Sequence, residues 1–260
     1  MKKITKLVLP VAGVGERLRP LTLSCPKALI KANGKSVLDY ALDETRGTDI
    51  NEIVLIISPQ HREDFDKYLN DNRSKYSHLT FYFRNQAEAF GNGDALLKAK
   101  DILGKEPFIF RFVDDLLVSE KPVLNSLSDF YNKYQSPIFI LERIPKDSVF
   151  RYGVVAIEEE NLADGIFKIT KFVEKPKVEE APSNLIFIGG GVMTSEIIEG
   201  LMELQNKTRE IKDGLPITDA FVSYLESGGK IYGWEFPGKR LDCGTLDGLK
   251  EAEEFLIEIN

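Results

Sequence analysis

The first half of the chain alternates short, continuous apolar runs with segments whose apolar residues recur every three to four positions. Strands are predicted at Ile4–Ala12, Glu52–Ile57, Leu79–Arg84, Pro107–Phe112 and Pro137–Leu141, with helices at Ser36–Arg46, His61–Asn70, Gly93–Ile102 and Val123–Tyr134. Fully apolar strands separated by helices specify a mostly parallel sheet covered on both faces, a doubly wound arrangement whose ligands gather outside the carboxyl ends of the strands. The second half reads differently. Strands Tyr152–Ile157, Ile166–Val173 and Leu185–Met193 follow one another through short loops. Helices at Ser195–Leu204 and Ile217–Glu226, a strand at Lys230–Phe236 and a closing helix Leu246–Ile257 come next, the last with Leu246, Leu249, Ala252 and Leu256 on one side. The expectation is a single domain over residues 1–260: an α/β half to about residue 142, and a second half, 143–260, whose strands are added to one side of it.

Composition narrows the function. The 260 residues are 43% apolar and 29% charged, which excludes a disordered or fibrous chain. With 34 Lys+Arg against 41 Asp+Glu the net charge is −7, so neither nucleic acid nor an anionic membrane surface is an expected partner. Two cysteines, Cys25 and Cys243, and two histidines, His61 and His78, leave little material for a zinc cluster or a disulfide framework, and a reduced, cytoplasmic setting follows. The opening MKKITKLVLPVAGVG reads as a first strand rather than a signal peptide, because its apolar run is short, rich in β-branched residues and ends in glycine and arginine. No segment approaches the roughly 20 apolar residues needed to span a bilayer.

The chemistry begins where the first strand ends. Gly13 and Gly15 expose consecutive backbone N–H groups to any phosphate that approaches, and Arg17 and Lys27 add positive charge in the same loop. A dinucleotide fingerprint would require glycine at Leu18, and a P-loop ending at Gly34-Lys35-Ser36 would require glycine at Leu29. Farther on, the apolar strand Phe108–Phe112 leads into Asp114-Asp115, and a magnesium ion favours one or two carboxylates plus phosphate oxygens. His61 reads as the exposed start of a helix, His78 as a loop residue, and Tyr68, Tyr76, Phe81, Tyr82 and Phe83 as packing.

The joint pattern G-x-G-x-R-x-x-P-x-T-x-x-x-P-K over Gly13–Lys27 resembles the signature of the sugar-phosphate nucleotidyltransferases, which join a nucleoside triphosphate to a sugar 1-phosphate. Further segments resemble that family in order: Gln86 to Gly91, Val113-Asp114-Asp115, Tyr152-Gly153-Val154-Val155, Phe172-Val173-Glu174-Lys175-Pro176, Gly189-Gly190-Gly191, Thr218-Asp219-Ala220 and Asp242-Cys243-Gly244. The resemblance implies a Rossmann-like, mixed but mostly parallel sheet flanked by helices, with a β extension for the sugar. It implies that Ala12, Gly13, Gly15, Gln86 and Gly91 bind the nucleotide, that Gly153, Glu174, Lys175, Gly190 and Thr218 meet the sugar phosphate, and that Asp114 and Asp242 share Mg²⁺. Arg17, Lys27 and Lys175 would be the catalytic cations. The branch acting on UTP and glucose 1-phosphate fits best, and the relatives' habit implies a homo-oligomer, dimer or tetramer. Departures such as Val113, Phe90 and Ala28-Leu29 leave open a dTTP- or UTP-dependent enzyme for another sugar 1-phosphate. A glycosyltransferase of related topology would not need the Arg17/Lys27 loop, and a silent nucleotide-sugar-binding regulator would have less need of both aspartates.

Overall fold

The computed structural model describes residues 3–88, 90–158, 162, 165–207 and 214–259. In chain order, strand β1 (Lys6–Pro10) is followed by a two-residue ribbon, β2 (Lys31–Ala32) and β3 (Lys35–Ser36), and by helix α1 (Val37–Asp43). Then come β4 (Glu52–Ile57), α2 (Arg62–Asp71), β5 (Thr80–Asn85), α3 (Gly91–Lys98), α4 (Lys100–Leu103), β6 (Phe108–Arg111), β7 (Asp115–Val118), α5 (Val123–Tyr134) and β8 (Ile138–Arg143). The second half holds β9 (Gly153–Ile157), β10 (Ile166–Glu174), β11 (Leu185–Met193), α6 (Ser195–Lys207), α7 (Ile217–Glu226), β12 (Ile231–Glu235), β13 (Lys239–Asp242) and α8 (Leu246–Glu258).

Nine strands form the main sheet in the order β5-β4-β1-β6-β11-β8-β12-β10-β9. The first four run parallel, β11 enters antiparallel between β6 and β8, and β12 pairs parallel with β8. The start of β11 also pairs with β9. The second half is therefore threaded into the sheet rather than added to one side, because the long, wholly buried β11 has two hydrophobic faces that only a central position covers.

Alternation along each strand explains the layers. Leu7, Leu9, Ile53, Leu55, Ile57 and Ile109 face a core shared with Leu38 and Leu42 of α1, Phe65 of α2, Leu124 and Leu127 of α5, and Leu249 and Leu256 of α8. Val8, Val54, Ile56, Phe108 and Phe110 face the opposite core, built with Leu96 of α3, Leu103 of α4, Ile197 and Leu201 of α6, and Phe221 of α7. Both strand faces are thus out of water, as the unbroken apolar runs require.

Helix starts follow local chemistry. Ser36 and Asp39 make a reciprocal capping box at α1, and the Thr245 hydroxyl accepts from the Gly248 N–H at the start of α8. Leu246, expected on the apolar side of α8, is 43% exposed, since the first turn overhangs the core that Leu249, Ala252 and Leu256 fill. The single helix expected over 93–102 is two, α3 and α4.

Candidate active site

The glycine loop after β1 owes its shape to internal hydrogen bonds. Gly15 is left-handed (φ 67°), its carbonyl accepts from the Thr22 hydroxyl at 2.8 Å, and Lys27 packs over the place where a Gly15 side chain would stand. Thr22 and Lys27 thus explain two spacings of the motif. Gly13 lies open, with nothing within 4 Å of a Cβ built there, and Arg17 is exposed at the loop's end.

Opposite the loop, β7 and β13 form a small antiparallel ribbon in which Asp115 faces Asp242. Cys243 N–H donates to the Asp114 carbonyl at 2.8 Å, which fastens the acidic turn to the chain after β13. Gly244 marks the result. A Cβ there would lie 2.7 Å from Asp242 Oδ1, 3.0 Å from Asp114 Oδ2 and 3.2 Å from an Arg17 guanidinium nitrogen, so three charged groups from distant segments converge on one small gap. Lys27 Nζ reaches Asp114 Oδ2 at 2.5 Å. A cavity of about 340 Å³ opens here, with Arg17, Asp114, Asp242, Arg240, Arg151 and Tyr152 among its walls.

Beneath it lies a charged floor that the motifs did not reveal. Arg240 donates to Asp115 at 3.0 Å and to Glu142 at 2.6 Å. Burial works against the Arg240 charge, but Asp115 and Glu142 outweigh it and raise its pKa. Asp115 is pushed up by burial and by Asp114, against the pull of Arg240 and of the Gly189 N–H that donates to it at 2.8 Å. Arg111, 1% exposed at the end of β6, reaches Glu44 at 3.0 Å and the Gly189 carbonyl. The available signal was an arginine inside an apolar strand, which burial forces to find a partner. Cys243, buried among these acids, has its thiol pushed up to about 12, chiefly by burial and then by Asp114.

Gln86 and Gly91 are joined directly. The Gln86 side-chain amide donates to the Gly91 carbonyl at 3.0 Å and to Asp94 at 2.9 Å. Both partners are pure acceptors, so the NH₂ must face them, and the carbonyl Oε1 is the side chain's uncommitted atom. Gly91 lies at φ 88°, where a Cβ would meet the Leu215 carbonyl at 2.6 Å. The Leu215 backbone crosses this turn, accepting from Gly93 N–H and donating to the Phe90 carbonyl, each at 2.9 Å. Ala89 of the turn lies outside the described residues.

Gly153, Glu174 and Thr218 form a third group: Thr218 Oγ1 donates to Glu174 Oε2 at 3.1 Å, and a Cβ on Gly153 would lie 3.2 Å from that oxygen. Lys175 follows with its backbone N–H on the Tyr152 carbonyl at 3.0 Å, while its side chain is 65% exposed, 3.8 Å from Glu174. Gly190 lies inside the sheet instead, where a Cβ would stand 1.9 Å from the Phe110 carbonyl oxygen and no side chain fits. Among the described residues no three acidic, histidine or cysteine side chains gather as a metal cluster, and the carboxylates that could hold a metal at Gly244 are Asp114 and Asp242.

A mixed sheet with a glycine-led loop facing a carboxylate pair defines a class of enzyme, and the chain belongs to the nucleotidyl transferase family, whose profile matches residues 6–259. Within that family it is similar to UTP–glucose-1-phosphate uridylyltransferase of Pseudomonas aeruginosa, at 32% identity over 98% of this chain and 96% of the relative. A putative UTP–glucose-1-phosphate uridylyltransferase of Methanocaldococcus jannaschii is 34% identical over 96% of this chain and 92% of its own. The crystal structure of a UDP-glucose pyrophosphorylase complexed with UDP-glucose matches with a TM-score of 0.87 at 31% identity, covering 99% of this chain and 100% of that one.

Proposed function

We propose that this protein transfers the uridylyl group of UTP to glucose 1-phosphate, releasing pyrophosphate and forming UDP-glucose in the cytoplasm, as a homo-oligomer. The observation that carries the reading is the convergence of Arg17, Asp114 and Asp242 on Gly244. A phosphate oxygen of the sugar attacks the α-phosphorus in line, the new P–O bond forms, and the bond to the β-phosphate breaks with its electron pair leaving on pyrophosphate. The nucleophile needs no base, because a phosphate monoester with a second pKa of about 6 is largely dianionic at neutral pH.

Positioning and charge do the work. Arg17 and Lys27 hold the triphosphate, with Lys27 leaving Asp114 to do so. Glu174 and Thr218 take sugar hydroxyls beside Gly153, and Lys175 turns inward to the sugar phosphate. The carbonyl Oε1 left by Gln86 accepts the imide N–H of uracil or thymine, and it would repel the bare ring nitrogen of cytosine. Two carboxylates at a gap too small for a side chain suit Mg²⁺, which takes few protein ligands and completes its shell with phosphate oxygens and water. When bound there it would neutralise charge developing on the phosphates. The similarity to uridylyltransferases over nearly the whole chain supports UTP and glucose 1-phosphate as the pair.

The test is pyrophosphate release from UTP, dTTP, CTP, GTP and ATP against several sugar 1-phosphates, with Mg²⁺ and after its removal by chelation. Turnover is expected with UTP and glucose 1-phosphate and should vanish on chelation. A preference for dTTP would overturn the uridylyl assignment, and binding of UDP-glucose without any turnover would replace the enzyme with a regulator.

A further inference from the structure

The cavity above the carboxylate pair has a cation that no motif assigns. Arg151 closes the 3₁₀ turn Lys146–Arg151 that precedes β9 and contributes to the cavity wall with Arg17, Asp114 and Asp242. Of the other basic groups here, Arg240 is paired with Asp115 and Glu142 and Lys27 with Asp114, while Arg17 belongs to the glycine loop after β1. Arg151 forms no ion pair among the described residues. Its guanidinium lies 5.8 Å from the centroid of the Tyr152 ring, and the Arg240 guanidinium lies 5.5 Å from the same centroid. One ring therefore carries two guanidinium groups, of which one has carboxylate partners and the other faces the cavity without any.

Its place in the chain says which anion it awaits. Tyr152 follows it directly, Gly153 comes next, where a Cβ would meet Glu174 and Thr218, and the Tyr152 carbonyl anchors the backbone of Lys175. Arg151 thus approaches from the sugar side, whereas Arg17 comes from the nucleotide loop. Lys175, the cation that the sequence motif assigns to the sugar phosphate, is not among the residues lining the cavity. A dianionic phosphate brought toward Asp114 and Asp242 is repelled by both, and a nearby cation must offset that repulsion. A guanidinium suits the task because its planar fork donates two parallel hydrogen bonds to one phosphate and so fixes orientation as well as position.

We infer that Arg151 binds the phosphate of the sugar 1-phosphate and aims its attacking oxygen at the α-phosphorus. This rests on the nucleotidyl-transfer reading above and adds a substrate-binding residue to it. The test uses the full chain as Arg151→Met and Arg151→Lys. For Arg151→Met the KM for glucose 1-phosphate should rise at least about tenfold, equivalent to about 1.4 kcal/mol, while the KM for UTP stays within about twofold. Arg151→Lys should recover part of the loss, and the thermal midpoint should not move, since the residue is exposed. An unchanged KM for glucose 1-phosphate would make Arg151 a solvated side chain. A rise confined to UTP, or to pyrophosphate in the reverse direction, would give it to the triphosphate; either result overturns the inference. Calorimetric titration of glucose 1-phosphate into wild type and Arg151→Met reads the same loss without turnover. If wild type turns over a different sugar 1-phosphate, the parent reading fails while Arg151 is still judged, because every such substrate carries the same phosphate.

Discussion

Asp39 shows how much one side chain hides from sequence. Its capping of α1 could be read from Ser36 three residues earlier, but its other partners lie 29 to 37 residues further along the chain: Tyr68 at 3.0 Å, Lys75 at 2.8 Å and Tyr76 at 2.6 Å. Tyr68 and Tyr76, expected as packing, place their rings in the core and spend their hydroxyls on this carboxylate. Burial alone would raise the Asp39 carboxyl, yet hydrogen bonds from Lys75, Ser36 and Tyr76 hold it well below the usual carboxylate range. A folded pKa below the unfolded value of about 3.9 gives stability that is fully present above about pH 4 and is lost as the pH falls toward the folded value. Asp39→Asn should therefore cost about 2–3 kcal/mol at pH 7 and flatten the acid limb of the stability curve, as urea unfolding at pH 7 and pH 3 would measure. An acid limb as steep as that of wild type would assign the loss to other carboxylates.

Among the elements, those with long and unbroken signals were legible: Glu52–Ile57, Val123–Tyr134, Leu185–Met193 and Ile217–Glu226 have the bounds that periodicity predicts. The ribbon of β7 and β13 was not. Each strand is four residues long, too short to show a period, and the acidic pair at the head of one reads equally as a turn. Yet this ribbon sets Asp115 against Asp242 and so brings the preceding Asp114 near Asp242, whereas the family resemblance implied only the pair Asp114 and Asp242. The charged floor of Arg111, Glu44, Arg240 and Glu142 stayed hidden for the same reason, since its members come from elements that meet only in three dimensions. A different signal sits at the end of β10. Lys175 has φ 44° and stands before Pro176, a backbone that a β-carbon and a following proline both disfavour. Lys175→Gly should remove that strain and raise stability by about 1 kcal/mol while lowering kcat/KM by at least about a hundredfold, checked by thermal unfolding and steady-state kinetics on one preparation. Lost activity with lost stability would mean that the lysine is structural.

Across the whole molecule, the two halves are interleaved. With β11 seated between β6 and β8, neither half can leave without opening the sheet, and Phe139, Phe187 and Phe221 pack together across it, Phe139 and Phe221 at 4.2 Å between ring centroids. Scanning calorimetry should show one transition whose van't Hoff and calorimetric enthalpies agree, and two separated transitions would restore a modular second half. Net charge was a poor guide at this scale. The chain is acidic at −7, but the cavity walls set three arginines, Arg17, Arg151 and Arg240, against three aspartates, Asp114, Asp115 and Asp242. A separate cavity of about 940 Å³, between Phe130, Lys133 and Trp234, contains none of the motif residues.

Leu215 holds the turn of Gln86 and Gly91 through two backbone hydrogen bonds, and three residues later Thr218 holds Glu174. The residues proposed to receive the base and those proposed to receive the sugar are consequently held at two ends of one short strap. Whatever factor a seated nucleotide contributes to sugar-phosphate affinity by fixing that strap, the sugar phosphate must return to the nucleotide, because linkage between two sites on one molecule is reciprocal.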